Sequence, residues 1–160
     1  MYRAYLILGS NLGDRESLLN QAIMELIDRL LPTYLEVGNL NEAVNTSEIL
    51  ETEPWGFDTP NKFLNQSFCC LTELEPQEVL KTCLEIEKEL GRERKGPQFN
   101  SKGERIYSSR LIDIDILSME KFIGKKWVEV EMDTEELKLP HPQLESRDFA
   151  KKLYKEIKMF

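Results

Sequence analysis

A single histidine, three cysteines with no CxxC pair, and no hydrophobic run as long as a membrane span define what this chain of 160 residues does without. One histidine and scattered cysteines leave no ligand spacing for a zinc site. Cys69, Cys70 and Cys83 read instead as core or strand residues. Adjacent Cys69 and Cys70 point to opposite faces of a strand, which argues against a disulfide between them, and the odd count fits a reducing compartment. No apolar stretch approaches about 18 residues, and Met1-Tyr2-Arg3-Ala4 lacks the layout of a secretory leader, so a cytoplasmic location is expected. Basic charge is short too: 21 Lys and Arg against 29 Asp and Glu give a net charge of -8, which disfavours nonspecific nucleic-acid binding. What remains is an ordinary globular composition, 41% hydrophobic, of a size expected to form one domain over residues 1–160 with a sizeable core.

The apolar periodicity alternates between strand and helix. Residues 2–8 form a β-rich run that ends in the turn cluster Gly9-Ser10-Asn11-Leu12-Gly13. Leu18, Leu19, Ala22, Ile23, Leu26, Ile27 and Leu30 then repeat at helical spacing, which predicts a helix over 14–31 closed by Pro32. Residues 33–38 and 43–50 read as extended, with an irregular link at 39–42, and 63–71 reads as a strand. A second helix is predicted over 76–91, with Pro76 in its first turn and Gly91 as its C-cap. The next 20 or so residues have no period, which is long for a connection in a compact domain. A strand follows, and Gly124-Lys125 turns it into a short strand at 127–132. After an irregular link at Leu139-Pro140-His141-Pro142, a last helix is expected at 147–158. The order β-α-β-β-α-β, with mostly antiparallel pairing, indicates an α+β sandwich of ferredoxin-like type.

Two local patterns carry chemistry. In Arg110-Leu111-Ile112-Asp113-Ile114-Asp115-Ile116-Leu117 the period-two geometry of a strand puts Asp113 and Asp115 on one face, about 7 Å apart at their α-carbons, and the three isoleucines on the other. Two carboxylates on a rigid element suit Mg²⁺, which takes oxygen ligands and sits against substrate phosphates; a half-solvated antiparallel strand gives the same alternation. Upstream, residues 91–110 carry six basic side chains (Arg92, Arg94, Lys95, Lys102, Arg105, Arg110) against Glu93 and Glu104. One basic segment in an acidic chain is either an anion site or a solvated loop. Gly9-Ser10-Asn11-Leu12-Gly13 precedes a helix but lacks the lysine of a Walker motif, so its glycines are read as shaping the turn.

These blocks come in a recognisable order: Leu8-Gly9-Ser10-Asn11-Leu12-Gly13-Asp14-Arg15, Glu51-Thr52-Glu53-Pro54-Trp55-Gly56-Phe57, Phe63-Leu64-Asn65, Glu89-Leu90-Gly91-Arg92, the strand with Asp113 and Asp115, and Leu139-Pro140-His141-Pro142 with Arg147-Asp148-Phe149. Together they resemble the 6-hydroxymethyl-7,8-dihydropterin pyrophosphokinases of folate synthesis, over almost the whole chain. The resemblance implies transfer of a pyrophosphoryl group from ATP to the hydroxymethyl oxygen of the pterin, with release of AMP. It assigns two Mg²⁺ ions to Asp113 and Asp115, a catalytic role to these aspartates with Arg92 and Arg110, and the pterin to Thr52, Pro54, Trp55, Phe63, Asn65 and Phe149. ATP falls to Glu87, Arg94, Tyr107, His141 and Arg147. Taken alone, Glu87 would be one exposed helix acid among several. The chain departs from the family pattern at Ser108-Ser109, at Tyr107 where a tryptophan can occur, at Glu53, and at Leu84, where some relatives place a polar nucleotide contact.

The expected partners are therefore the small molecules ATP and 6-hydroxymethyl-7,8-dihydropterin, with no nucleic acid and no membrane, in a monomer or weak homodimer. Two other readings stand beside this one. A nucleotidyltransferase also uses an Asp-x-Asp strand with two metals. A non-catalytic ferredoxin-like module that binds a ligand or RNA would want a basic sheet face with exposed aromatics, and an acid pair on a central strand argues against it.

Overall fold

β1 (Tyr2–Ser10) is buried along almost its whole length because strands flank it on both sides and helices cover both of its faces. The computed structural model describes residues 1–35, 40–53, 61–91, 98–99, 101–102, 105–106 and 111–158. β1 pairs antiparallel with β4 (Phe63–Thr72) on one side and β7 (Asp113–Ile123) on the other. β2 (Val44–Thr46) and β3 (Leu50–Thr52) both add to β4, and β8 (Lys126–Glu129) adds to β7, giving the order β2-β4-β1-β7-β8. The second and third strands of the β-α-β-β-α-β core thus sit on one side of the first and the last strand on the other. This is the split arrangement expected of a ferredoxin-like α+β fold.

The two sides of the sheet have separate cores. Tyr2, Ala4, Leu6 and Leu8 of β1 join Ile112, Ile114 and Ile116 under α1 (Arg15–Leu30) and α3 (Pro76–Glu89). Tyr5, Ile7, Cys69 and Leu117 face the other way and meet Ala150, Leu153 and Ile157 of α4 (Asp148–Ile157). Cys69 and Cys70 do lie on opposite faces, and all three thiols are buried and unbridged. Burial pushes the Cys69 thiol up to about 12, so it is inert near neutrality. Alternation along β7 survives only to Leu117, because the pairing with β1 shifts register between Tyr5 and Leu6. One residue is extra on β7, and beyond it Met119 rejoins the isoleucine side.

Several boundaries differ from the sequence expectation. Asp14 is not the first helical residue but the cap of α1, its carboxylate accepting from the Ser17 N–H at 3.1 Å. Glu78 reaches back to the Glu75 N–H at 2.9 Å to open α3, which ends at Glu89 rather than at Gly91. The stretch 39–42, expected to be irregular, contributes to a short helix α2 (Leu40–Ala43). Of 33–38, Thr33 and Tyr34 lie in a turn and 36–38 fall outside the described residues. The run 43–50 is broken at Ser47, whose hydroxyl accepts from the Ser67 N–H and whose N–H reaches the Ser67 carbonyl, so β2 and β3 meet β4 separately. Within the aperiodic segment, β5 (Gln98–Phe99) and β6 (Arg105–Ile106) pair with each other. The strand expected over 127–132 stops at Glu129, and β9 (Met132–Asp133) pairs instead with β10 (Lys138–Leu139), across a turn in which Thr134 Oγ1 binds both the N–H and the carbonyl of Leu137. No helix among the described residues is long and apolar enough to cross a membrane.

Candidate active site

Strand register brings together residues far apart in the chain. Gly9 pairs with Asn65 on one side and with Asp113 on the other, and one step along, Ile7 lies between Ser67 and Asp115. With strands about 4.8 Å apart, Asn65 and Asp113 stand about 10 Å from each other on the α4 side of the sheet. Gly9 is the floor between them. A Cβ there would sit 3.2 Å from Asn65 Oδ1 and 3.5 Å from the Phe63 ring, so only a residue without a side chain leaves the Asn65 amide where it is.

Over this floor opens a cavity of about 770 Å³. Thr52, Phe63, Asn65, Asp113, Asp115, His141, Arg147 and Phe149 all line it. Asn65 is 6% exposed, and its Nδ2 donates to Thr52 Oγ1 at 2.7 Å and more distantly, at 3.4 Å, to the Leu50 carbonyl. Having accepted that hydrogen, the Thr52 hydroxyl has its own proton to donate, while Asn65 Oδ1 is an acceptor. The pair therefore offers a donor and an acceptor side by side. The Arg147 guanidinium lies 6.0 Å from the Phe149 ring centre at the start of α4.

His141 is held in one tautomer. Its Nδ1 accepts from the Gln143 N–H at 3.1 Å, so the ring proton is carried by Nε2, and the His141 backbone N–H donates to the Leu117 carbonyl at 2.7 Å. Burial, then the Arg147 charge, lower its pKa below the ordinary histidine range, against a smaller opposing pull from Asp113. A neutral imidazole that presents an N–H is a hydrogen-bond donor rather than a base.

The donor set of the acidic pair fits a hard cation. Asp113 and Asp115 supply carboxylate oxygens from one strand face, and no group of three or more His, Cys, Asp or Glu able to hold a metal occurs among the described residues. Two carboxylates leave most of the coordination shell to water and to ligand phosphates, which is the way Mg²⁺ is commonly held.

The family model for 7,8-dihydro-6-hydroxymethylpterin-pyrophosphokinase matches residues 5–159. The chain belongs to this family. It is 44% identical over 147 residues to the 2-amino-4-hydroxy-6-hydroxymethyldihydropteridine pyrophosphokinase of Porphyromonas gingivalis, covering 92% of this chain and 84% of that one. The enzyme of the same name from Bacillus subtilis is 35% identical, over 92% of this chain and 72% of its own length. That from Aquifex aeolicus is 36% identical over 149 residues, 93% of this chain and 76% of that one.

Within the pyrophosphokinase family the cavity is more complete than its motifs suggested. Leu80, Leu84, Ile114, Ile116 and Leu137 give it an apolar end, and Glu135, Glu136 and Lys138 give it a polar rim; apart from Leu84, none was assigned to the site from sequence. The hairpin of β9 and β10 that brings the rim has strands of only two residues each, too short to show a period. For Glu87 the expected exposure is corrected: it is 1% exposed, on the inward stripe of α3 with Val79, Cys83 and Ile86. Its charge adds to burial in raising the Cys83 thiol. Arg92, Arg94, Arg110, Pro54, Trp55 and Tyr107 lie outside the described residues.

Proposed function

We propose that this cavity transfers the pyrophosphoryl group of ATP to the hydroxymethyl oxygen of 6-hydroxymethyl-7,8-dihydropterin, giving AMP and the pterin diphosphate, with Asp113 and Asp115 holding two Mg²⁺ ions. The observation that carries the reading is the meeting, in one cavity, of an acidic pair and an amide–hydroxyl pair flanked by two phenylalanines. Bound Mg²⁺ would neutralise phosphate charge, which otherwise shields the β-phosphorus from an incoming oxygen.

The chain's own groups do the positioning. Asn65 Oδ1 accepts from an N–H of the pterin edge while the Thr52 hydroxyl donates to an adjacent acceptor. Phe63 and Phe149 cover the ring faces, contributing about 1 kcal/mol each beyond the area they bury. His141 donates Nε2–H to a phosphate oxygen, and Arg147 brings a fork of donors to the same chain of oxygens. Leu80, Leu84 and Leu137 pack against the apolar base of the nucleotide. By resemblance, Arg92 and Arg110 act on the transferred phosphates, Glu87, Arg94 and Tyr107 on the nucleotide, and Pro54 and Trp55 beside the pterin. No side chain is assigned as general base: a primary alcohol aligned with an electrophilic phosphorus needs orientation first. The protein acts in the cytoplasm as a single domain, a monomer or weak homodimer, with small molecules as its partners.

Product analysis tests the reaction. With ATP, Mg²⁺ and hydroxymethyldihydropterin the purified chain is expected to form AMP and pterin diphosphate in equal amounts. Release of inorganic pyrophosphate with a nucleotidylated pterin would instead mark a nucleotidyltransferase. Gly9→Ala supplies a geometric check. Its methyl group must displace the Asn65 amide by a few tenths of an ångström, so the pterin KM is expected to rise about fivefold with little change in the KM for ATP.

A further inference from the structure

The turn Asn11-Leu12-Gly13-Asp14 joins Ser10, the last residue of β1, to Arg15, the first of α1, and none of these six residues lines the cavity. Ser10 and Asn11 are nevertheless 0% and 2% exposed. Burying a polar side chain costs stability unless it is hydrogen-bonded, so the destinations of these two bear on why polar residues stand there.

They reach the stems of both chain segments that border the site. Arg15 Nη1 donates to the Lys62 carbonyl at 2.8 Å and stands 3.4 Å from Glu51 Oε2. Asn11 Nδ2 reaches the preceding carbonyl, that of Asn61, at 3.4 Å. Glu51 precedes Thr52 and Lys62 precedes Phe63, and Thr52 and Phe63 face each other across β3 and β4. Arg15 therefore spans the neck at which the chain leaves β3 and returns to β4, beside the Thr52–Asn65 pair.

On the other side, Ser10 Oγ donates to the Leu111 carbonyl, two residues before Asp113. The Leu111 side chain fills the space over two glycines with positive φ, Gly13 at +69° and Gly91 at +97°, where added Cβ atoms would come within 3.3 and 2.8 Å of its methyl groups.

We infer that this turn is a positioning junction: Arg15 and Asn11 hold the stem of the pterin side at Lys62 and Asn61, Ser10 holds the stem of the metal strand at Leu111, and one rigid turn sets the two subsites relative to each other. A planar guanidinium suits the neck because it can engage a carbonyl and a carboxylate at once, which a lysine ammonium does with less geometric control. The inference rests on the proposed reaction for its kinetic readout, while its binding readout is independent of turnover.

The test compares Arg15→Ala, Arg15→Lys and Ser10→Ala with Arg29→Ala. Arg29 also lies on α1 and ion-pairs with Glu25 and with Glu89 of α3 but bonds to neither stem, so its loss reports the cost of breaking an α1 ion pair. Arg15→Ala is expected to raise the pterin KM about tenfold, with kcat and the KM for ATP within about twofold, and Arg15→Lys to recover part of the loss. Ser10→Ala is expected to raise the KM for Mg²⁺·ATP more than that for the pterin. Arg29→Ala is expected to lower Tm and leave both KM values unchanged. Calorimetry of the pterin with each variant, in the presence of a nonhydrolysable ATP analogue and Mg²⁺, should show the same tenfold weakening for Arg15→Ala. An unchanged pterin affinity in Arg15→Ala overturns the junction, as does a uniform loss of kcat and both affinities that tracks Tm. A wild-type chain that binds neither substrate overturns the proposed reaction instead.

Discussion

Asp113→Ala and Asp115→Ala are each expected to cut the rate of AMP formation at least about a thousandfold, equivalent to about 4 kcal/mol in the barrier, while leaving the fold in place. Both side chains are only partly buried on a strand whose other face is anchored by Ile112, Ile114 and Ile116, so removing a carboxylate opens no cavity in either core. Tm measured beside turnover separates loss of the cation site from loss of the fold. The loss should be specific to the cation. Calorimetry with a nonhydrolysable ATP analogue should show Mg²⁺-dependent binding in the wild type and little or none in either variant. The isosteric Asp113→Asn and Asp115→Asn changes should behave like the alanines, because they keep shape and lose charge. Near-normal turnover in either purified aspartate variant would remove the metal role.

The acidic pair was legible because it needs only the period of a strand, a property of consecutive residues. The same holds for the opposed faces of Cys69 and Cys70 and for the apolar stripe of α3. Glu87 shows where the period was available but overridden by expectation: it stands at i+4 from Cys83 and i+8 from Val79, on the stripe that the apolar residues themselves define. A carboxylate on such a stripe is read as exposed only because charged residues usually are. Gly9, by contrast, was read as shaping a turn and lies instead inside β1, which runs on to Ser10. Its importance comes from pairing with Asn65 and Asp113 at once, and register between strands more than 50 residues apart is fixed by the whole sheet. The last helix was silent for a related reason. Ala150, Leu153 and Ile157 predict an amphipathic helix, but not that it covers the second face of the sheet; Arg147 and Phe149 at its start were placed at the site by resemblance alone, and both line the cavity. The register shift opposite Tyr5 and Leu6 likewise cannot be read from β7 alone, where strict alternation would have put Met119 with the aspartates.

Asn65→Ala carries the second large effect, on the pterin and not on the nucleotide. The substitution removes the acceptor Oδ1 and also the Nδ2 donor that orients the Thr52 hydroxyl at 2.7 Å, so both members of the polar pair are disturbed by one change. A site built to hydrogen-bond its ligand loses more than one bond energy when a partner goes, because the groups left behind are buried and unpaired. About a hundredfold or greater fall in kcat/KM for the pterin is expected, with the KM for ATP changed by less than about threefold. Thr52→Val separates the two contributions: it keeps the shape of the side chain, leaves Asn65 Oδ1 in place, and should cost about tenfold. The effect of the double variant should fall short of the product of the single losses, since the two groups act as one hydrogen-bonded unit. Should Asn65→Ala instead weaken ATP and pterin equally, the amide would be holding the sheet edge at Leu50 and Thr52 rather than reading the pterin, and the pterin subsite would have to be sought elsewhere along the cavity.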